Sequence, residues 1–590
     1  MIFHPRWIVV TALALSTLFA GCSSPGAGTG NTGNTNGGND GSPTPSNDAA
    51  GFFVDGSNNV EGEGPRQPSS DEEDGEETQS HFRGIQVDPR YEDTAGAKFV
   101  THADINGDGM VDIITGHNQS QPVQLHIQGR DQDGNVVFDT VTIGGTLPIG
   151  TMAGVEVADM DQDGALDVVV LVKSDGTIAF CLDGESNSDN FTGLIAILFS
   201  PGPAGDITDG DQWQQVIIQD SYSPFNNRWG KPQDQLRAID FPEEGGYTSL
   251  AVGEIDGVNG PDIVVTSNVP IIPCGTGLNT VELWLNPGNN ARNGDSQMIN
   301  SNAVPALNMP PTFWYPIWLD INAPLIRDCG IYDVDGDGDL DVVAAHSNTA
   351  TQNIRWYRNP LNEQGLNAFL AGSFQNDNKA LFTSTWEQRP IGTVDGDVGN
   401  LVIGDMDNDG FDDVLVRAFG QGVAMWFRRP TLDTDVDPTF PPDNPDNTAG
   451  DNTPVPDRFN FPWQVYVLDD FSPFRPVGLA IGDLTNDGAN DAVVSVGGAL
   501  YWFDSTVGIS VFDEWGRDFV LDDTKENGTT DDPTDIDFVD NGTLINNMIV
   551  VDVDGDGVND IVATFDRRVD SGLADDSVVW FRNTLFEENN

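Results

Sequence analysis

A short alternating run, a polar turn and a continuous apolar run recur in that order along this chain. Gly154-Val155-Glu156-Val157 and Asn400-Leu401-Val402-Ile403 are examples of the first, and Val168-Val169-Val170 and Ile561-Val562 of the last. Alternation predicts a strand with one buried face, and a brief unbroken run predicts a strand buried on both. A third element follows: Leu283-Trp284-Leu285-Asn286-Pro287, Trp356-Tyr357-Arg358-Asn359-Pro360, Trp426-Phe427-Arg428-Arg429-Pro430, Tyr501-Trp502-Phe503 and Trp580-Phe581-Arg582-Asn583. A fourth is a Trp opening a strand that ends at or near Asp, as in Trp213 to Asp220, Trp463 to Asp469 and Trp515 to Asp522, with Trp386 opening a similar segment before Ile391. No sustained apolar stripe at helical spacing is present. Four strands per unit, repeated seven times, predict an all-β, seven-bladed β-propeller.

The polar turns have a pattern of their own, with oxygen-bearing side chains at positions 1, 3, 5 and 9 and a glycine at position 6. The fourth turn is the fullest: Asp333, Asp335, Asp337 and Asp341 around Gly338. The second carries Asp159, Asp161, Asp163 and Asp167, the fifth Asp405, Asp407, Asp409 and Asp413, and the seventh Asp552, Asp554, Asp556 and Asp560. The first has Asp104, Asn106, Asp108 and Asp112, and the sixth Asp483, Thr485, Asp487 and Asp491. The third is degenerate, with Glu254, Asp256 and Asp262, Val258 at position 5 and Asn259 at the glycine place. Compact sets of hard oxygen ligands suit Ca²⁺, and a glycine there lets the backbone turn with positive φ. We expect about four to seven Ca²⁺ ions, with a structural role: crowded carboxylates repel, and a divalent cation relieves them. The third loop is empty or uses a shifted ligand, and Thr485 weakens the sixth.

Loop starts lie 55 to 95 residues apart, longer than a minimal blade, so insertions are expected at Asp183–Gly193, Pro287–Pro311 and Thr431–Phe461. Few residues follow Trp580, which leaves the seventh blade short of a strand. Phe82 to Asp88 precedes the first loop without a blade of its own and aligns with Trp463 to Asp469. The N-terminal strand is therefore expected to complete the last blade and close the ring.

Composition changes the picture mainly at the N-terminus. Arg6 and the apolar Trp7–Phe19 form a signal peptide over residues 1–21, too short for a permanent span. Leu18-Phe19-Ala20-Gly21-Cys22 resembles the lipobox of bacterial lipoproteins, although Phe19 stands where that family usually has Leu. The resemblance implies acylation of Cys22, export and attachment at the outer membrane or cell surface; a plain secretory signal is the other reading. Residues 22–81 are the lipidated Cys and a Gly/Asn/Ser/Pro-rich disordered tether, with a reach of roughly 40 Å; residues 82–590 are the propeller. The formal net charge of -67 excludes nucleic acid as a natural partner and restricts membrane contact to the lipid anchor. Loop carboxylates are a minority of the 93 acidic residues; the rest form a solvated surface that favours a monomeric head. Among Cys181, Cys274 and Cys329, a Cys274–Cys329 disulfide and three buried thiols are both open.

The repeated D-x-D-x-D-G-x-x-D loop, with the later V-x-W-[FY]-x-N element, resembles the FG-GAP/VCBS repeats of integrin-α-type β-propellers, over about residues 82–590. The resemblance implies that the loop between the first two strands of each blade binds Ca²⁺. EF-hands and dockerins need a carboxylate at position 12, where this chain has Val170, Ala344, Val416 or Ala563. RTX repeats are about nine residues long and do not fit either.

No catalytic motif is found among the six His and the remaining polar residues, so an enzyme is not expected. His102, His117 and His346 near the loops read as packed or surface residues. The resemblance favours a surface binding or adhesion module for a protein or carbohydrate ligand. A polysaccharide lyase-like enzyme on the same ring, or a passive scaffold, is the alternative. Phe313-Trp314-Tyr315 with Trp318 offers either a sugar-stacking surface or an outer strand packed on its neighbours.

Overall fold

The structure is a computed structural model. It describes residues 81–87, 97–117, 123–144, 151–173, 178–179, 193–220, 238–239, 246–268, 279–293, 314–320, 325–347, 353–365, 386–430, 459, 462–505, 515–521, 543–567 and 577–586. The leader, Cys22, the tether, Cys181 and Cys274 lie outside the described residues, as does most of the three expected insertions.

Seven four-stranded antiparallel sheets form the blades of a propeller. In blade four the strands run Ile326–Tyr332, Asp341–His346, Ile354–Arg358 and Glu387–Gly392, from the inside outward. The second strand is buried at every residue there, as in blades one and six, in accord with the unbroken apolar runs. The first strands are more buried than their alternation predicts: Ala97–Ala103 has only His102 partly exposed. Each first strand packs against those of both neighbouring blades, so both of its faces are covered. Alternation survives at the rim, where Val465 and Val467 of the outer strand Gln464–Asp470 are exposed.

First strands touch in succession all the way round, and Thr543–Val551 of blade seven meets Ala97–Ala103 of blade one. The closure is that expected. Phe82–Gln86 pairs antiparallel with Ser577–Asn583 as the fourth strand of blade seven, Ile85 opposite Trp580. Phe82 is buried edge-on to Trp502 of blade six, and His81 accepts hydrogen bonds from the Thr584 N–H and hydroxyl. Val87, Ala97, Val100 and Ile113 share a core with Val553, Val562, Val578 and Trp580, so the seam is packed as well as paired.

Blades are also tied by polar groups. Asp328, fully buried in blade four, accepts from Ser249 Oγ of blade three at 3.1 Å and from the Leu401 N–H of blade five at 3.0 Å. Cys329 is buried with its sulfur 3.0 Å from Ser249 Oγ, and Cys274, its partner in the disulfide alternative, lies outside the described residues. Trp314 and Trp318 correct the sugar-stacking alternative for themselves; Phe313 and the Tyr315 side chain lie outside the described residues. Both indoles are buried, and Trp314 Nε1 donates to the Ala291 carbonyl, so these rings serve the core of blade three.

A candidate metal centre repeated in every blade

Each acidic loop joins a blade's first strand to its second, so all seven lie on one face of the ring. Inside the loop the carboxylates organise the backbone before any ion is considered. In loop four, Asp333 Oδ1 accepts from the Gly336 and Asp337 N–H groups and its Oδ2 from Gly338, at 2.8–3.1 Å. Asp337 Oδ1 accepts from Asp339 N–H at 3.0 Å. The same bonds recur at Asp104, Asp159, Asp405, Asp483 and Asp552. The turn that brings these N–H groups inward needs positive φ twice. Position 6 has φ near 90° at Gly109, Gly164, Gly338, Gly410, Gly488 and Gly557. Position 4 is positive as well, with φ from 54° to 78° at Gly107, Gln162, Gly257, Gly336, Asn408, Asn486 and Gly555, a requirement the sequence reading missed. The Gly-or-Asn preference there was the available signal. In loop three Asn259 has φ 69° and Gly260 takes φ 92°, one residue later than elsewhere.

The carboxylate at position 9 is different. Asp341 is buried; its Oδ2 accepts from the Val334 N–H at 3.0 Å and its Oδ1 from the Asn359 N–H at 2.7 Å. It thus pins the loop's second residue to the end of the third strand. Asp112, Asp167, Asp262, Asp413, Asp491 and Asp560 do the same, to Gln128, Ser200, Asn286, Arg429, Ser505 and Asn583. Burial pushes the Asp167, Asp491 and Asp560 carboxyls up to about 7 and Asp112 up to about 6, against the opposing pull of these N–H donors. It raises Asp262, Asp341 and Asp413 well above the usual carboxylate range.

In five blades the residue receiving that pin then reaches the preceding blade. Asn359 Nδ2 donates to the Leu340 carbonyl of its own loop and to the Ile255 carbonyl of loop three. Asn286 reaches Met160, Asn583 reaches Leu484, Gln128 Nε2 reaches Val553, and Arg429 Nε reaches Val334. The Asn of the V-x-W-[FY]-x-N element is therefore a latch between blades.

Oxygens of positions 1, 3 and 9 converge. Asp159, Asp161 and Asp167 each place one within 4.8 Å of the other two, as do Asp333, Asp335 and Asp341; Asp405, Asp407 and Asp413; and Asp552, Asp554 and Asp560. Glu254, Asp256 and Asp262 do so as well, so the loop expected to be weakest assembles a full carboxylate triad. Burial raises both Glu254 and Asp256. In loops one and six the corresponding residue is neutral, Asn106 or Thr485, beside Asp104 and Asp112 or Asp483 and Asp491. The predicted ligands at position 5, Asp108, Asp163, Asp337, Asp409, Asp487 and Asp556, stay outside these triads and bind the N–H of position 7 instead.

The donor set fits a hard cation, and unmet acceptors point the same way. Asp335 Oδ1, Asp407 Oδ1, Glu254 Oε1 and Thr485 Oγ1 are buried without a hydrogen-bond partner. An oxygen desolvated and left unbonded costs about 1–3 kcal/mol, more when charged, and a bound cation removes that cost.

Residues 104–170 and 333–416 match the family of FG-GAP-like repeats. Each matched segment starts at the first ligand position of one loop and ends in the second strand of the next blade. The chain is a seven-bladed β-propeller that carries FG-GAP-like repeats in these segments. Its FG-GAP-like blades place it among folds that serve as binding or scaffold modules. No curated protein matches it. Two solved structures similar to this chain are crystal structures of BBS1N in complex with ARL6DN, one soaked with lead and one with mercury. They have 9% and 10% identity and TM-scores of 0.35 and 0.40, each alignment covering 86% of this chain and 98% of that one. At such scores the likeness bears on neither ligand nor function.

His102, His117 and His346 are packed residues. Burial pulls His102 and His117 down to about 4, and His117 Nε2 pairs with Thr115 Oγ1 at 2.8 Å. His346 is fully buried.

Proposed function

We propose that this FG-GAP propeller is an exported, lipid-anchored binding module whose ring is stiffened by Ca²⁺ and whose ligand is a cell-surface protein or glycan. The observation that supports it is how the repeated chemistry is used: position 1 shapes the turn, position 9 and the latch residue join strands and blades, and the triads offer oxygens to a cation. Repetition thus serves rigidity, and recognition is left to what differs between blades, including the insertions at Asp183–Gly193, Pro287–Pro311 and Thr431–Phe461. Calcium, where bound, supplies positive charge that offsets mutual repulsion of the triad carboxylates.

Metal content of the purified head tests the calcium reading, with four to seven ions expected and none overturning it. Binding to glycan arrays and to cell-surface extracts, with and without Ca²⁺, tests the binding reading. Calcium-dependent retention of a defined ligand supports it; turnover of acidic polysaccharides replaces it with a lyase-like activity. Fatty-acid labelling lost in Cys22→Ala tests the anchor, and labelling that persists would refute it.

A further inference from the structure

Beside four of the loops stands a cation supplied by the chain itself. Arg358 Nε donates to Asp335 Oδ2 at 2.5 Å, and its Nη2 lies 3.5 Å from Asp337 Oδ2. Arg428 joins Asp407 and Asp409, Arg582 joins Asp554 and Asp556, and Arg292 joins Asp161 and Asp163. In every case one guanidinium spans the carboxylates at positions 3 and 5. It occupies only Oδ2 of the position-3 residue. In Asp335 and Asp407, whose side chains are 6% and 3% exposed, the Oδ1 atoms remain buried and unpartnered.

Comparison among the blades gives an internal control. The hydrogen bonds of the position-9 Asp set the register at the end of the third strand. In that register Arg358, Arg428 and Arg582 are equivalent to Ile127, Phe199, Leu285 and Asp504. Loops one, three and six, facing Ile127, Leu285 and Asp504, are those lacking an acid at position 3 or 5: Asn106, Val258 and Thr485 take its place. Loop two has both acids but faces Phe199. There the cation comes from elsewhere: Arg292, in the 3-10 turn Gly288–Asn293 of blade three, lays its guanidinium over the Phe199 ring at 5.0 Å and reaches Asp161 and Asp163. A different segment thus delivers the same charge to the same place. Summed over positions 1, 3, 5 and 9 together with that guanidinium, all seven loops come to a formal charge of −3. Asp339, Asp412 and Asp504 lie outside that sum.

We propose that Arg292, Arg358, Arg428 and Arg582 are built-in counter-cations: each cancels the surplus carboxylate of a four-acid loop and holds the position-3 residue by its outer oxygen, leaving the inner one to a divalent ion. They are positioning residues, and the proposal rests on the calcium reading of the same loops. A guanidinium suits the task because its planar fork bridges two carboxylates while keeping its charge at any working pH. The loop then stays folded when calcium is low.

Hydrogen exchange of the Gly336, Asp337 and Gly338 amides in the full chain tests this, with Arg358→Gln and the double variant Arg358→Gln/Asp337→Asn. In EDTA the single variant should exchange on the order of tenfold faster. Removing the surplus acid in the double variant should restore protection to within about twofold of the parent. Saturating CaCl2 should suppress the difference between parent and single variant. Parental exchange in the single variant, or a double variant no better protected than the single, overturns the proposal, because lost packing is not repaired by Asp337→Asn. Arg582→Gln with and without Asp556→Asn repeats the test in blade seven, so local misfolding of one blade cannot imitate the result. Absence of any calcium protection in the parent overturns the metal reading by itself, while the EDTA arms still decide the role of the arginine.

Discussion

Asp341 combines two roles that the ligand pattern alone does not separate. It contributes an oxygen to the triad with Asp333 and Asp335, and its two oxygens accept backbone N–H groups from the loop and from the third strand. An amide in its place offers one acceptor and presents an NH₂ group to the second N–H. Asp341→Asn should therefore cost about 2–4 kcal/mol even with calcium chelated. Asp337→Asn at position 5, which stands outside the triad, should cost clearly less. Urea unfolding in EDTA compares them, and equal losses would show that position 9 is a ligand and no more. Gly338 provides a second residue-scale test. Its φ of 93° disfavours a side chain although a Cβ would find its nearest neighbour, Asn362 Nδ2, at 3.8 Å, so Gly338→Ala should lose about 1–2 kcal/mol through conformation and not through collision. The acids and position 6 were legible because they lie within nine consecutive residues. Position 4 was less so, since Gln162 can occupy it.

Strands and loops become blades through bonds between distant segments. Asn583 is the clearest: its N–H caps Asp560, while its Nδ2 donates to Asn559 in its own blade and to Leu484 in the preceding one at 2.8 Å. Asn583→Ala keeps the first bond and deletes the other two together with the one its Oδ1 accepts from the Leu585 N–H, leaving the buried Leu484 carbonyl unmet. A loss of about 2–3 kcal/mol is expected, read as a lower urea midpoint, with increased exchange on both sides of the blade six–seven boundary. A change confined to blade seven would remove the latch from the account. The strand grammar was readable because burial imposes periodicity on neighbouring residues. The latch was visible only as a recurring Asn, because its partner is 99 residues away.

At the scale of the whole ring, closure and charge decide behaviour. A chain beginning at residue 94 lacks Phe82–Gln86, exposing one edge of Ser577–Asn583 and the site where Phe82 packs on Trp502. A loss of at least about 3 kcal/mol is expected from the buried ring and the missing ladder; unchanged melting would remove the seam from the explanation. The buried loop acids dominate the pH response; His102, His117 and His126, pulled by burial down to about 4, 4 and 3, oppose them below the ordinary histidine value of 6.5 but are outnumbered. Folded pKa values near 7 for Asp167, Asp491 and Asp560 and near 6 for Asp112 lie above the value of 3.8 for an exposed carboxyl. The folded state therefore binds protons between about pH 7 and pH 4 that the unfolded chain does not. In EDTA, stability should rise as pH falls through that window and level off below it. With calcium saturating, protons compete with the ion and the slope should flatten or reverse. Melting temperatures from pH 8 to pH 4, with and without metal, check both signs.

By itself the sequence determined the repeat number, the order of strands, the joint at which each acidic loop sits and the strand that closes the ring. These depend on local periodicity and on ligand sets contained in single turns. Tertiary structure decided what each acid does: which oxygens converge, which clamp the backbone, and which are held by an arginine. Arg292 shows why. It lies 131 residues from Asp161, in the next blade, and no local pattern connects them until the ring folds. The loops mark the fold because they repeat, and their individual chemistry depends on the neighbours that folding brings beside them.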